Sequence, residues 1–127
     1  MPKAKKKKIL FAEDEKSLNK AFCIGLSKSN FQVIPVFDGE ECIAKAKEEK
    51  PDIILLDLLM PKMDGETALL RLKEDKDTKN IPVVILTNFS NPEKFKDTLS
   101  KGAVDYLVKS NSSIEEVVAK VNEVLGK

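Results

Sequence analysis

Short apolar runs and amphipathic segments alternate along the chain. The apolar runs lie at residues 9–12, 31–36, 53–57, 83–87 and 104–108, and each has the length of a β-strand. The segments that follow them repeat their apolar residues with the period of a helix. Because parallel strands need helical crossovers, this alternation predicts a doubly wound parallel α/β sheet of five strands with five flanking helices. The sequence contains no internal repeat or linker, and 127 residues suit one domain.

The predicted helices carry start signals and inward-facing residues. Asp38 is predicted to cap the second helix, with Glu41 three residues on, and Asn91–Pro92 to begin the fourth. Ser112–Ser113 and Glu115–Glu116 form a doubled capping signal before the last helix. We expect the following residues to face the core: Leu18, Phe22, Gly25, Leu26, Leu69, Leu72, Phe95, Leu99, Ile114, Val117, Val118, Val121 and Leu125.

The composition excludes several classes of function. The chain has no histidine, which excludes an imidazole general base, a Ser-His-Asp triad, a histidine-ligated zinc and a phosphohistidine of its own. The net charge of +1 gives no general attraction to nucleic acid or to membranes, and no apolar stretch approaches the roughly 18 residues of a membrane span. We therefore expect a cytoplasmic protein, with Cys23 and Cys42 as reduced core residues of separate helices. Residues 1–6 are expected to form a frayed basic arm.

Polar and acidic residues stand at the ends of four predicted strands. Glu13 and Asp14 follow the first strand, Asp57 ends the third, Thr87 ends the fourth and Lys109 follows the fifth. The carboxyl ends of parallel strands meet at one edge of a sheet, which is where open α/β sheets bind ligands. Carboxylates gathered there repel one another unless a cation joins them. The pattern predicts a site for a hard divalent cation such as Mg²⁺, with a hydroxyl group and an ammonium group beside it.

Four segments of the chain carry a more specific pattern. They are Ile-Leu-Phe-Ala-Glu-Asp-Glu at residues 9–15, Pro-Asp-Ile-Ile-Leu-Leu-Asp-Leu-Leu-Met-Pro-Lys-Met-Asp-Gly at 51–65, Ile-Pro-Val-Val-Ile-Leu-Thr at 81–87 and Gly-Ala-Val-Asp-Tyr-Leu-Val-Lys at 102–109. Together they resemble the receiver domain of the two-component response regulators, and in particular a stand-alone receiver of the chemotaxis type. The resemblance implies a single receiver domain over residues 1–127, with a flavodoxin-like sheet in the strand order 2-1-3-4-5.

The resemblance also implies a phosphorylation site that uses a metal ion. Asp57 would accept a phosphoryl group from the phosphohistidine of a sensor histidine kinase or phosphotransfer protein. Asp14 would ligate Mg²⁺ directly and Glu13 mostly through water, while Asp57 and the backbone carbonyl of Leu59 would be further ligands. A chain of this kind catalyses only its own phosphorylation and dephosphorylation, and is not otherwise an enzyme.

A switch is implied by the same resemblance. Thr87 and Lys109 would hold the phosphoryl oxygens, and Tyr106 would be the aromatic side chain that turns inward when Thr87 moves. We expect no output domain in this chain, so the response would be binding to a downstream protein. The face formed by the fourth helix, the fifth strand and the fifth helix is the predicted binding surface.

The sequence departs from the family's usual pattern near the predicted site. Ser110 follows Lys109 where the family usually has proline, often after a cis peptide bond, and the geometry of that bond is left open. Asn88 stands where a small residue is usual, and Glu13 is longer than the usual aspartate. Ser110 and Asn88 leave room for a second hypothesis, a degenerate receiver that binds its partner constitutively, whereas the intact acidic residues, Thr87 and Lys109 argue against it.

A third hypothesis is a hydrolase that acts on external acyl phosphates. Such an enzyme would need a second acid two residues after the predicted nucleophile Asp57, for general acid catalysis. Leu59 occupies that position, and no part of the chain is left for a substrate domain. The sequence therefore argues against the hydrolase.

Overall fold

Strands and helices alternate throughout the residues that the computed structural model describes, which are 6–60, 62–88, 92–109 and 112–126. The strands are β1 (Lys7–Ala12), β2 (Phe31–Val36), β3 (Ile53–Leu56), β4 (Val83–Thr87) and β5 (Asp105–Val108). The helices are α1 (Lys16–Ser27), α2 (Gly39–Glu49), α3 (Gly65–Glu74), α4 (Pro92–Ser100) and α5 (Ile114–Val124). The strand pairs are parallel and the order is β2-β1-β3-β4-β5, which confirms the predicted fold.

The register of the sheet brings the ends of its central strands level. The last residue of β1 pairs with the last residue of β3, so Glu13 and Asp57 leave neighbouring strands side by side. Thr87, the last residue of β4, pairs with the last residue of β5, directly before Lys109. Four of the predicted site residues are therefore placed at one edge of the sheet by backbone pairing alone.

Two apolar clusters cover the two faces of the sheet. Strands β3 and β4 are buried along their whole length, as is expected for central strands with helices on both faces. The cluster beneath α2 and α3 contains Leu10, Ala12, Val36, Cys42, Ala46, Ile54, Leu56, Ala68, Leu69, Leu72 and Ile85. The cluster beneath α1 and α5 contains Ile9, Phe11, Phe22, Leu26, Ile53, Leu55, Val84, Leu86, Val117 and Val121. Neighbouring strand residues thus alternate between the two clusters.

The predicted inward faces of the helices are confirmed except in α4. The prediction for Leu99 is wrong, because its side chain is 44% exposed and the buried residue at this turn is Thr98. The chain leaving α4 bonds back to both residues, because the N–H of Ala103 donates to the Thr98 carbonyl and that of Gly102 to the Leu99 carbonyl, each at 3.1 Å. Adjacent helical side chains point about 100° apart, and it is the face with Thr98 that is buried. Asn91 and the side chain of Phe95 lie outside the described residues.

Helix starts follow the capping signals in the sequence. Asp38 Oδ1 accepts a hydrogen bond from the N–H of Glu41 at 2.8 Å, and Ser113 forms a capping box with Glu116 at the start of α5. A third cap was not predicted. Asp64 Oδ1 accepts from the third residue of α3 at 2.8 Å, and this cap fixes the helix start that faces Asp57.

Three further expectations concern the termini, the cysteines and the membrane. Residues 1–5 of the predicted basic arm lie outside the described residues. Cys23 in α1 and Cys42 in α2 are free thiols, and Cys42 is buried. Within the described ranges, no helix has the length and apolar character that crossing a membrane requires.

Candidate functional site

Three carboxylates converge at the carboxyl edge of the sheet. Glu13 and Asp14 follow β1 and Asp57 follows β3, and one carboxylate oxygen from each lies within 4.8 Å of the others. Glu13 and Asp57 are only 2% and 5% exposed, while Asp14 is exposed. The group therefore combines two buried anions with one that faces solvent, as a site filled from solution by a cation requires.

Lys109 supplies a positive charge to the two buried carboxylates. Its Nζ contacts Glu13 Oε1 and lies 3.1 Å from Asp57 Oδ2. Burial alone would lower the pKa of Lys109, but the hydrogen bonds and charges of Glu13 and Asp57 outweigh burial and raise this pKa above its ordinary value. The ammonium group therefore stays charged and balances the two anions.

Each buried carboxylate has its second oxygen bound to a backbone N–H. Glu13 Oε2 accepts from the N–H of Glu15 at 2.9 Å, and Asp57 Oδ1 accepts from the N–H of Leu59 at 3.3 Å. Burial raises the pKa of Glu13, although the contact with Lys109 opposes the shift. Each carboxylate is thus held by Lys109 at one oxygen and by a backbone N–H at the other, so its position is set before any ligand binds.

Thr87 brings an unpaired hydroxyl group to the same edge. Its side chain is 1% exposed, and Oγ1 has no hydrogen-bond partner among the described residues. An unsatisfied buried hydroxyl destabilises a fold by about 1–3 kcal/mol, so it is typical of a site that receives a ligand. The hydroxyl can donate to an anionic oxygen bound beside Asp57.

The converging residues line one open pocket. Its walls are formed by Glu13, Asp14, Glu15, Asp57, Leu59, Thr87, Asn88 and Lys109. The donor set fits both groups that the sequence predicts: carboxylate oxygens suit Mg²⁺, and the ammonium with the free hydroxyl suits a phosphoryl group. The side chain of Leu59 is 60% exposed at the mouth of the pocket.

Tyr106 lies on the sheet face that carries Thr87. It pairs with Ile85 across β4 and β5, and residues two apart on a strand share a face. The ring is half-buried against the cluster beneath α2 and α3. Burial, with a smaller contribution from the charge of Asp57, raises the pKa of Tyr106 to about 12. The neutral ring thus lies on the face of the sheet that carries Thr87, and its role as a switch stays a prediction.

Gly65 allows α3 to start against the backbone of the phosphoacceptor candidate. A Cβ atom at this position would lie 2.3 Å from the carbonyl oxygen of Asp57 and 2.6 Å from Cα of Leu58. The Gly65 N–H donates to the Leu58 carbonyl at 2.9 Å. A residue without a side chain is therefore needed here, because the start of α3 approaches the end of β3 so closely.

Sequence reasoning missed Asn19, a buried polar residue in α1. Asn19 is 1% exposed and lies on the same helical face as Phe22 and Leu26, at the spacing of an apolar stripe. A polar residue within such a stripe was the available signal, because buried amides need hydrogen-bond partners. Ser110, with the peptide bond before it, lies outside the described residues.

Comparison with known proteins identifies the family. The model of the response regulator receiver domain matches residues 9–122 of this chain, which include β2 to β5, most of β1, the three carboxylates and Lys109. This chain belongs to the response regulator receiver domain family. As a receiver domain it is a component of two-component signalling.

Individual relatives share the receiver domain over nearly all of this chain. The alkaline phosphatase synthesis transcriptional regulatory protein PhoP of Bacillus subtilis (strain 168) is 39% identical over 121 residues, which are 94% of this chain and 48% of PhoP. The chain thus spans about half the length of that relative.

Solved receiver structures have the same fold. The receiver domain of Francisella response regulator 1452 superposes with a TM-score of 0.88 at 29% identity, covering 94% of this chain and 97% of that one. The Vibrio cholerae chemotaxis protein CheY4 superposes with a TM-score of 0.87 at 28% identity, covering 94% and 98%. These similarities agree with the strand order described above.

Proposed function

We propose that this receiver domain accepts a phosphoryl group on Asp57, with Mg²⁺ held by Glu13, Asp14, Asp57 and the backbone carbonyl of Leu59. The observation that carries the proposal is the meeting, in one open pocket, of a buried Asp57, a charged Lys109 and a Thr87 hydroxyl that has no partner in the described part of the chain. The donor is the phosphohistidine of a sensor histidine kinase or phosphotransfer protein, since the chain has no histidine of its own.

The transfer step uses the Asp57 carboxylate as the nucleophile. One carboxylate oxygen forms a bond to phosphorus while the phosphorus–nitrogen bond to the donor's imidazole breaks, and the electron pair of that bond leaves with the imidazole. The product is an acyl phosphate on Asp57. Phosphoryl transfer depends mainly on positioning and on neutralisation of charge, so the chain needs no further covalent partner.

Lys109 and Thr87 provide that neutralisation from the chain itself. The Lys109 ammonium lies close enough to Asp57 to contact a phosphoryl oxygen after modest movement, and the Thr87 hydroxyl is free to donate to another. When bound, Mg²⁺ supplies additional positive charge to the phosphoryl oxygens. Glu13 and Asp14 are the side chains that hold the ion beside Asp57.

The signal leaves the site through Thr87 and Tyr106. A hydrogen bond from Thr87 to the phosphoryl group draws the end of β4 toward Asp57, and Tyr106 on the same face follows into the space released. The downstream protein binds the face formed by α4, β5 and α5. Leu99 and Val104, which are 44% and 49% exposed at the junction of α4 with β5, give that face apolar surface to bury.

Phosphorylation by a small donor tests the proposal. The protein is incubated with Mg²⁺ and acetyl phosphate or phosphoramidate, and its intact mass is measured. We expect one phosphoryl adduct that hydroxylamine removes, that requires Mg²⁺, and that Asp57→Asn abolishes. Asp77→Asn changes an exposed aspartate of the loop after α3 and should keep the adduct.

Two outcomes would contradict the proposal. A full adduct on the Asp57→Asn variant would place the phosphoryl group on another residue. Failure of the parent protein to form any adduct with either donor would favour the degenerate receiver that binds constitutively.

A further inference from the structure

The side-chain amide of Asn19 forms hydrogen bonds to the carboxyl ends of two strands. Nδ2 donates to the carbonyl oxygen of Glu13 at 2.9 Å and to that of Val36 at 3.0 Å. Oδ1 accepts from Cys23 Sγ at 3.1 Å. Both amide hydrogens therefore have partners. One partner is the carbonyl of Glu13, the residue directly after β1, and the other is the carbonyl of Val36, the last residue of β2.

The same residue closes the loop between β1 and α1. The N–H of Asn19 donates to the carbonyl of Glu15 at 2.9 Å, while the N–H of Glu13 donates to the Val36 carbonyl at 3.1 Å. The side-chain amide of Asn19 thus holds the beginning of residues 13–15. The bond from its N–H to Glu15 is the first helical hydrogen bond of α1, which any residue except proline would make at this position. This loop carries Glu13 and Asp14, the two carboxylates that the metal site takes from β1.

We propose that Asn19 is a positioning residue for the metal site. Its amide fixes the backbone of Glu13, and the fixed backbone aims Glu13 and Asp14 into the pocket, although Asn19 itself touches neither the pocket nor Asp57. The inference rests on the proposed function, because it assumes that these carboxylates bind Mg²⁺. A purely structural role would instead lower stability without changing the affinity for the ion.

The test compares Asn19→Ala with Thr78→Val. Thr78 is also 1% exposed, and its hydroxyl donates to the carbonyl of Leu72 at 2.7 Å, at the opposite edge of the sheet. Each variant removes buried hydrogen bonding from a side chain to the backbone, so both should melt at lower temperature than the parent. Only Asn19→Ala should weaken Mg²⁺ binding, by about tenfold, as is typical when a residue that orients metal ligands is lost.

Calorimetric titration of the unphosphorylated proteins with Mg²⁺ gives the affinities directly. A second readout is the rate of phosphorylation by acetyl phosphate as the Mg²⁺ concentration is varied. Asn19→Ala should need more Mg²⁺ for half of its maximal rate but approach the parent's rate at saturation. If its affinity for Mg²⁺ matches that of Thr78→Val, the positioning role is refuted.

The design separates this inference from the proposed function. If the parent protein neither binds Mg²⁺ nor forms the Asp57 adduct, the proposed function and the inference about Asn19 are both overturned. A parent that does both, beside an Asn19→Ala variant with unchanged affinity, overturns the inference alone.

A second pair of variants covers the case in which Asn19→Ala does not fold. Cys23→Ser keeps a donor to Asn19 Oδ1, whereas Cys23→Ala removes it. We expect Cys23→Ser to bind Mg²⁺ like the parent and Cys23→Ala to bind it more weakly. Equal affinities in these two variants would overturn the inference.

Discussion

The ammonium nitrogen of Lys109 lies 3.1 Å from Oδ2 of Asp57, and the two side chains are only 9% and 6% exposed. The same nitrogen contacts Glu13, so one cation balances two buried anions. An ion that binds these carboxylates therefore meets oxygens that Lys109 already engages. The acids were expected to repel one another unless a cation joins them, and Lys109 is a cation of the chain itself that relieves part of this repulsion.

Removal of Lys109 should destabilise the metal-free protein. Lys109→Met leaves two buried carboxylates without their counter-charge, and breaking a buried ion pair in this way costs about 3–5 kcal/mol. We expect a loss of this order in urea denaturation with a chelator present, and a partial recovery when Mg²⁺ is added.

The matched control is Lys120→Met. Lys120 forms ion pairs with Asp105 at 2.6 Å and with Glu123 at 3.0 Å, in which the carboxylates are 39% and 67% exposed. Pairs of this kind contribute less than about 1 kcal/mol. Equal losses in the two variants would show that the buried carboxylates take up protons or water and do not depend on Lys109.

Mg²⁺ should stabilise the parent through Asp14. An ion that binds only the folded state at ten times its dissociation constant adds about 1.4 kcal/mol, which is a melting shift of several degrees for a domain of this size. Because Asp14 is exposed, Asp14→Asn should leave the metal-free protein as stable as the parent, or more stable, while removing most of the shift. Thermal unfolding of both proteins with and without Mg²⁺ measures this. Equal shifts would place the ion elsewhere.

The fold and the metal-site candidates were accessible from the sequence for a physical reason. Strands β2 and β4 begin and end at the predicted residues. For β4 the reason is that a strand covered on both faces is an unbroken apolar run with polar residues beyond its ends. Parallel pairing then brings the strand ends together whatever the details of the loops. The convergence of Glu13, Asp57 and Lys109 follows from topology, and topology follows from the alternation of strands and helices.

What the sequence did not show depends on packing between elements distant in the chain. Leu99 has the spacing of an inward residue, but the buried residue at this turn of α4 is Thr98. The close approach of Gly65 to Asp57 and the bond from Asn19 to Val36 each join separate elements. The spacing of apolar residues in the sequence shows which residues share a helix face. It does not show which face the neighbouring strands and loops cover.

Loss of the Thr87 hydroxyl should leave the resting protein intact. Thr87→Val replaces a buried hydroxyl that has no partner among the described residues, so the free energy of unfolding without metal should change by less than about 1 kcal/mol or rise. With Mg²⁺ and beryllofluoride, a phosphoryl analogue, the variant should gain less stability than the parent. It then lacks a hydrogen bond to a charged group, which contributes about 1.5–3 kcal/mol.

Thr78→Val is the comparison for that measurement. The Thr78 hydroxyl does have a partner, the Leu72 carbonyl, so this variant should lose stability without metal and respond normally to the analogue. A Thr87→Val variant that unfolds more easily than Thr78→Val in the absence of ligand would show that the Thr87 hydroxyl is already bonded.

A methyl group at Gly65 should disturb Asp57. Gly65→Ala would place Cβ 2.3 Å from the Asp57 carbonyl oxygen, and because backbone atoms cannot rotate away, the start of α3 or the end of β3 must shift. Overpacking of this kind typically costs about 1–3 kcal/mol. We expect lower stability in denaturation and slower phosphorylation by acetyl phosphate.

Gly126→Ala separates steric from general effects of the substitution. A Cβ at Gly126 meets no atom within 4 Å, although its φ of +77° disfavours alanine. This variant should lose some stability but phosphorylate at the parent's rate. If Gly65→Ala is as stable as the parent and as rapidly phosphorylated, the loop before α3 relaxes freely and the contact has no consequence.

An ion-pair network between α3 and α4 should make stability depend on pH. Glu66 of α3 contacts Lys94 of α4 and lies 2.8 Å from Lys101, the residue directly after α4. Hydrogen bonds from Lys101 and Lys94 lower the pKa of Glu66 below its ordinary value of 4.5. A carboxylate with a lowered pKa in the folded state stabilises the protein above pH 4.5, and this contribution is lost as the pH falls through the folded-state pKa.

Glu66→Gln should therefore be less stable than the parent at neutral pH, by no more than about 1 kcal/mol because the pairs are partly exposed. The difference should shrink as the pH is lowered from 4.5, and it should also shrink in high salt, which screens the pairs. Urea denaturation over pH and salt measures both effects. Glu74→Gln, at an exposed position of the same helix, should show neither trend. A difference between Glu66→Gln and the parent that persists unchanged at low pH would mean that packing, and not charge, joins α3 to α4.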